Sequence, residues 1–216
     1  MERLSIRSFQ AQGHEYHLYC YDSEPDGTPP DVVLEDAAAI IPCDRIFKFR
    51  DYYAGFSDLF RWKLLFDRGG WWCDLDVMAL KPFEFASEYV FASQAQGRVE
   101  IPTSGVARVP AGAPAALWMH EFCAGKQQAS YTGHGPDLVA SAIGRFALRR
   151  HLQPVFRFCP IDWHRWRDVV APAAPRLHPE AAAVQLWGAM WALGKADRDG
   201  TYPPESLYEQ LKRRYL

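Results

Sequence analysis

Four side chains set close together in the sequence, Asp58, Arg61, Asp74 and Asp76, are of the types that handle a metal-bound diphosphate. Magnesium or manganese holding diphosphate oxygens commonly takes only one or two protein carboxylates, with water filling the other positions. An Asp-x-Asp pair therefore lets one aspartate ligate the cation while the other reaches it through water or holds a ligand hydroxyl. The cation's main work would be to offset charge on a departing nucleoside diphosphate. Asp58 and Arg61 lie three residues apart, hence on one helical face, where they could hold ribose or sugar hydroxyls beside that centre.

Taken alone, each piece has a plainer meaning. An isolated Asp-x-Asp is ordinarily two solvated turn residues. An Asp/Arg pair on a helix is ordinarily a surface ion pair worth about 0.3–0.5 kcal/mol. Context weakens both. Asp74 follows the apolar run Trp71-Trp72-Cys73, and the helical run around Asp58 and Arg61 is otherwise mostly hydrophobic.

The elements that must position these groups can be read from periodicity. A helix is expected over Tyr53–Asp67, with Phe56, Leu59, Phe60 and Phe66 on its apolar stripe and Ser57 as an N-cap. Arg68 suits the negative helix end, and Gly69 suits the positive-φ residue that stops it. Trp71–Cys73 reads as a short buried strand, and ligands of open α/β sheets lie outside the carboxyl ends of such strands. Strand alternation puts Asp74 and Asp76 on one side and Leu75 on the other.

Further strands are expected at His17–Tyr21, Val32–Leu34, Arg45–Phe49 and Tyr89–Ser93, with Val155–Phe158 extended. Helices are expected at Ala115–Ala124, Pro136–Arg150 and Glu205–Arg214. The turn-rich Asp22–Pro30 and the Pro-rich Ala171–Pro179 are surface connections. Strands alternating with helices imply an α/β fold with a mixed sheet flanked by helices. A chain of 216 residues suits a single domain over 1–216.

Composition removes several classes of function. With 49% hydrophobic and 23% charged residues the chain is globular in type. A net charge of −2 gives no basic footprint for nucleic acid. The five cysteines are scattered with no C-x-x-C, so they read as small buried residues of a reducing compartment. No stretch reaches membrane-spanning length and no apolar leader opens the chain, so the cytoplasm is the expected location. The seven histidines show no H-E-x-x-H spacing; His14 and His17 read as strand-edge residues and His134 as a loop residue between two glycines. Asp197-Arg198-Asp199-Gly200 lacks the remaining ligands of a calcium loop and reads as a polar turn. No G-x-S-x-G, Walker loop or G-x-G-x-x-G is present.

Ser57-Asp58, Arg61, Leu64-Leu65, Gly69-Gly70-Trp71, Asp74-Leu75-Asp76 and Lys81-Pro82-Phe83, in that order, resemble the DXD sugar-binding glycosyltransferases. That group contains bacterial capsular and lipopolysaccharide sugar transferases and fungal initiating mannosyltransferases, with distant kinship to the large clostridial glucosylating toxins. Looser similarity extends to Ser8, Gly13-His14 and Leu18-Tyr19, and downstream to Thr132, Gly133 and Gly135-Pro136. The resemblance implies a GT-A fold and a metal-dependent retaining transfer of a hexose or N-acetylhexosamine. The donor would be a nucleotide-diphosphate sugar (UDP-sugar favoured, GDP-sugar as the other choice) and the acceptor a saccharide or other hydroxyl. Carried over by position, Asp58 and Arg61 contact the donor, Asp74 approaches ribose and sugar hydroxyls, and Asp76 is the principal ligand of Mn2+ or Mg2+, with Asp74 beside it.

Three departures accompany the resemblance. Met1 stands almost where the usual first strand of such domains should already have ended. Thr103-Ser104 stands where the family often has Asn, and Gln185-Leu186-Trp187 where a His before Leu-Trp is common. Trp187 and Trp191 read as core first and site edge second, while Trp71 or Trp72 could stack a base. Two rival readings stay open: a degenerate domain that binds a sugar nucleotide or a partner without turnover, and an Asp-x-Asp phosphohydrolase with Asp74 as nucleophile and Asp76 as acid.

Overall fold

A computed structural model describes residues 1–22, 24–48, 52–125 and 135–216. Thr132, Gly133 and His134, and the last residue of the expected strand Arg45–Phe49, lie outside the described residues. Among the described residues no helix is long and apolar enough to cross a membrane.

Helix α1 (Glu2–Ala11) leads into strand β1 (Tyr16–Cys20), which pairs in parallel with β2 (Val32–Asp36). Helix α2 (Ala54–Arg68) then delivers the chain to β3 (Gly70–Cys73). After the short β4 (Val77–Ala79) come the long strands β5 (Val90–Gln96) and β6 (Val99–Val109), followed by helices α3 (Pro114–Gly125) and α4 (Pro136–Arg145). Strand β7 (Ala183–Gln185), helix α5 (Gly188–Leu193) and helix α6 (Leu207–Tyr215) complete the order. The strands form a parallel pair β1-β2, an antiparallel trio β3-β6-β5 and an antiparallel pair β4-β7. The mixed parallel and antiparallel α/β architecture is the expected one.

Alternation along the antiparallel trio divides the core in two. Val90, Ala92 and Val106 point into a cluster with β4, β7, Phe158 and the aromatic residues of α5 and α6. Phe91, Ala107 and Val109 point the other way, onto α2, α3 and α4. Trp71 joins the first side and Trp72 the second, as period-two geometry requires. Each face of the trio is thus covered, and its outer end is left to carry polar groups.

Several sequence expectations need correction. Cys43–Arg45 is a 3-10 turn followed by irregular chain, not the start of a strand, and Val155–Arg157 is likewise a 3-10 turn. The helix expected to reach Arg150 ends at Arg145, where Phe146 caps it and Ala147 takes a positive φ. Strand β6, at the centre of its sheet, carried no strand signal because Pro102, Ser104 and Gly105 read as breakers. In the fold Pro102 falls next to the register shift between Phe91 and Ser93, where the ladder is already irregular. The segment Leu4–Ser8 lies within α1, whose Ser5 hydroxyl donates to Val77 O at 2.6 Å while Ser8 Oγ accepts from Ala79 N at 2.8 Å. A helix thereby supplies hydrogen bonds along the edge of β4 that a neighbouring strand would otherwise supply.

Gly69 ends α2 as expected, donating its N–H to Leu65 O at 2.9 Å with φ +68°. A Cβ there would lie 2.5 Å from Ala111 N, because the chain at Pro110–Gly112 closes over the helix end. Gly69→Ala should therefore cost roughly 2–4 kcal/mol, from positive φ and overpacking together. Gly144→Ala, in exposed helical backbone with open space around it, should instead stabilise by about 0.5–1 kcal/mol. Chemical unfolding of the two variants would show opposite shifts in midpoint.

Candidate functional site

The two aspartates of the Asp-x-Asp pair sit in a turn rather than on a strand. Strand β3 ends at Cys73; Asp74 N still donates to Gly105 O at 2.8 Å, extending the ladder by one residue. Val77 N then donates to Asp74 O at 3.0 Å, closing a turn over 74–77 before β4 begins. Alternation does not run through this turn, so it cannot be what aims the carboxylates. Asp74 continues the direction of Trp72, toward α2, and Asp76 turns toward the start of α5.

Asp74 Oδ1 accepts the Trp72 indole N–H at 2.7 Å and lies 3.3 Å from Arg61 Nη2. Arg61 Nε lies 3.3 Å from Asp58 Oδ1, its Nη2 donates to Ser57 Oγ at 3.2 Å and its Nη1 donates to Ser104 O. Its guanidinium also covers the Trp72 ring, 4.9 Å from the centroid. Ser57 is not an N-cap: it lies inside α2, its N–H bonded to Tyr53 O, and its hydroxyl serves Arg61. The surface-pair reading of Asp58 and Arg61 fails as well, since they are 6% and 4% exposed. Removing one partner of such a buried network leaves charge uncompensated in a poorly solvated place. Asp74, by contrast, keeps 30% of its side-chain surface and is the member a ligand can reach.

Asp76 is held from the other direction. Its backbone O accepts from Leu186 N at 2.8 Å and its Oδ2 accepts from Gly188 N at 2.7 Å. Its Oδ1 is buried with no hydrogen-bond partner. Strand β7 pairs Gln185 with Val77, placing the Gln185 carboxamide beside the turn. A Cβ built on Gly105 would lie 3.1 Å from both amide atoms of Gln185 and 3.2 Å from Asp74 Oδ2, so glycine at 105 leaves room for these two side chains. Gln185 Oε1 accepts from the buried Cys159 thiol at 3.4 Å. The sequence marked Gln185 only as a departure; the β4–β7 pairing makes it a site neighbour. Ser104 is drawn in too, through its carbonyl on Arg61.

The electrostatics follow from burial. Asp76 is raised to about 6, by desolvation first and by the Asp74 charge second, with the Gly188 N–H opposing. Asp58 is raised to about 7 because desolvation outweighs its ion pair with Arg61, and Asp74 adds to the rise. An orphaned carboxylate oxygen beside a second carboxylate fits a Mg2+ or Mn2+ ion that also takes diphosphate oxygens. Among the described residues no group of three or more His, Cys, Asp or Glu is placed to hold a metal without such help. The tryptophans have packing roles. Trp191 is fully buried and Trp187 is 8% exposed. Trp71 packs on Phe83 and Phe85, and Trp72 meets Phe60 and Arg61.

Residues 14–94, less than half of the chain, match the family model described as "Glycosyltransferase sugar-binding region containing DXD motif". Asp58, Arg61, Asp74 and Asp76 fall inside the matched segment; Ser104, Gly105, Gln185 and Gly188 fall outside it. Among solved structures the chain is similar to "PaToxG Glycosyltransferase", with a TM-score of 0.50 and 15% identity. The similarity covers 67% of this chain and 63% of that one. At that identity the likeness is one of fold, which is GT-A-like. No curated protein matches the chain.

Two outcomes follow from these environments. Arg61→Met should destabilise the fold by about 3–5 kcal/mol, since Asp58 and Asp74 lose their shared cation; urea unfolding measures it. The second concerns pH. A carboxyl whose folded pKa is raised favours folding fully below its unfolded value, and that contribution is lost as pH rises through the folded pKa. Metal-free protein should therefore lose stability between about pH 4 and 7. Asp76→Asn should stabilise it by roughly 1–2 kcal/mol at pH 7.5 and not at pH 4. Equal effects at both pH values would show that Asp76 carries no raised pKa.

Proposed function

We propose that this protein is a glycosyltransferase that uses Mn2+ or Mg2+ to bind a nucleotide-diphosphate sugar, UDP-sugar before GDP-sugar. It transfers a hexose or N-acetylhexosamine, with retention, to a saccharide or other hydroxyl acceptor. The single observation carrying this reading is the Asp76 carboxylate: one oxygen bonded to Gly188 N–H, the other buried without a partner, and Asp74 adjacent. A buried acceptor left unbonded is costly unless a ligand completes it. The sugar-binding family model over 14–94 and the GT-A-like fold support the same reading.

In this reading Asp76 is the principal cation ligand and Asp74 lies beside it, directly or through water. The cation, when bound, would neutralise charge on the departing diphosphate. Asp74 presents Oδ2 to donor hydroxyls, because its Oδ1 is taken by Trp72 and Arg61. Asp58 and Arg61 belong to the donor wall and act from behind it: the guanidinium fixes the Asp74 rotamer, and Asp58 balances that guanidinium. Fixed groups of this kind favour transfer by positioning and by charge stabilisation. Attack on the donor face is the step most consistent with retention here. The acceptor oxygen bonds to the anomeric carbon as its bond to the phosphate oxygen breaks, and the acceptor proton passes to the departing phosphate.

Calorimetry with UDP-sugars and GDP-sugars, with and without Mn2+, tests this. The wild type should bind one nucleotide class only when the cation is present, and Asp76→Asn should weaken that binding at least about 100-fold while the protein stays folded. Binding without sugar transfer to any acceptor would make the domain a sugar-nucleotide binder. Phosphate release from a simple monoester, lost in Asp74→Asn, would replace the reading with a phosphohydrolase.

A further inference from the structure

The grip on Asp76 is itself supported, and its support reaches back to the first helix. Gly188 donates the N–H that holds Asp76 Oδ2, and it is a glycine at the start of the short helix α5. A glycine there brings no side chain to fix its far side, and the helix it opens and the pinned Trp187 before it leave room for a contact that does. Arg198 does so: its Nη2 donates to Gly188 O at 2.6 Å while its Nη1 donates to Glu2 Oε1, on α1, at 2.8 Å. A Cβ on residue 188 would lie 3.2 Å from Arg198 Nη2 and 3.3 Å from Asp76 Oδ2, so the absent side chain lets both groups crowd one residue.

The segment carrying Arg198 is braced in turn. The buried Tyr208 donates its hydroxyl to Arg198 O at 2.5 Å, Tyr202 donates to Asp197 O at 2.7 Å, and Lys212 donates to Gly200 O at 3.0 Å. A polar turn on the sequence is thus a scaffolded element, with its one guanidinium bridging the first helix and the carboxylate's clamp. Neither Glu2 nor Arg198 lies within the family-model segment.

We propose that Arg198, anchored by Glu2, is a positioning residue for Asp76: it locks Gly188 so that Oδ2 is occupied by the 188 N–H and Oδ1 remains for a cation. The inference deepens the proposed function, on which its metal arm rests. Arg198 holds Gly188 by a hydrogen bond, and its charge also favours the ionised Asp76 carboxyl. Amide exchange at Gly188 reads the first effect by itself. Partners at this distance from a metal commonly change its affinity by 10- to 100-fold when removed.

The test has one arm that needs no metal. Amide hydrogen exchange of metal-free protein should show Gly188 losing about tenfold or more of its protection in Arg198→Ala. Leu186, whose N–H bonds the Asp76 backbone, should keep its protection. Glu2→Gln should give a smaller loss, and Glu2→Gln combined with Arg198→Ala no more than Arg198→Ala alone. In the second arm Mn2+ alone is titrated, and Arg198→Ala should weaken binding about tenfold, with partial rescue in Arg198→Lys, which can reach one acceptor but not both. Unchanged Gly188 protection would overturn the proposal whatever the protein binds, as would Mn2+ affinity unchanged in a variant that has merely lost thermal stability. If the wild type binds no Mn2+ in the presence of any nucleotide sugar while Gly188 protection still falls, the metal-dependent reading fails and the clamp stands as an ordering device.

Discussion

The arrangement depends on one buried guanidinium. Arg61 is all but sealed between α2 and the edge of the antiparallel trio, where an unpaired charge would be prohibitive. It is tolerated because two carboxylates, a hydroxyl and a backbone carbonyl converge on it, each from a different stretch of chain. Helix α2 supplies the cation, Asp58 and Ser57. The turn after β3 supplies Asp74, and β6 supplies the Ser104 carbonyl. Docking α2 on the sheet therefore favours the rotamer of Asp74 that meets both Arg61 and the Trp72 indole.

Asp76 obeys the opposite logic. Its network is left one partner short, and burial together with the Asp74 charge makes its ionised form unfavourable without a counter-ion. Native cores satisfy nearly all buried polar atoms. Asp76 Oδ1 shares its lack of a hydrogen-bond partner with Asp58 Oδ1, Trp62 Nε1 and Arg157 Nε among the described residues, and it alone of these belongs to the Asp-x-Asp pair. The two aspartates, adjacent but for Leu75, are thus separated in role by environment: one is held by the protein from within, and the other is clamped on a single oxygen. Under the proposed function, stability given up at Asp76 is the expected cost of binding a cation there.

The two-sided core explains how a short turn can be held this firmly. Trp71 anchors one side of β3 and Trp72 the other. Val77, Met78 and Ala79 are fully buried directly after the turn, pinned between β7 and the serine hydroxyls of α1. With both flanks fixed, residues 74–77 have little freedom left. The buried apolar strands on either side hold this polar turn in place.

Much of this was legible in the residues. The periodicity of 53–67 located α2 to within a residue at each end, glycine at 69 marked its stop, and the apolar Trp-Trp-Cys run marked β3. Those are local properties, set by side-chain period and by φ, and local sequence carries them. Strand β6 was hidden because a proline and a glycine that look like breakers serve as a register shift and as clearance for Asp74 and Gln185. Gln185 was marked only as a departure from the family pattern, and Gly188 and Arg198 not at all, for a different reason. Each matters through a partner more than a hundred residues away along the chain, or through a backbone group, and spacing says nothing about such pairs. By itself the sequence determined which carboxylates and which guanidinium are present and that they follow a helix and a strand. Only the tertiary structure decided that Arg61 is buried, that a turn and not strand alternation aims Asp74 and Asp76, and that one oxygen of Asp76 is left unpartnered, because burial and hydrogen-bond completion are properties of packed elements and not of their order.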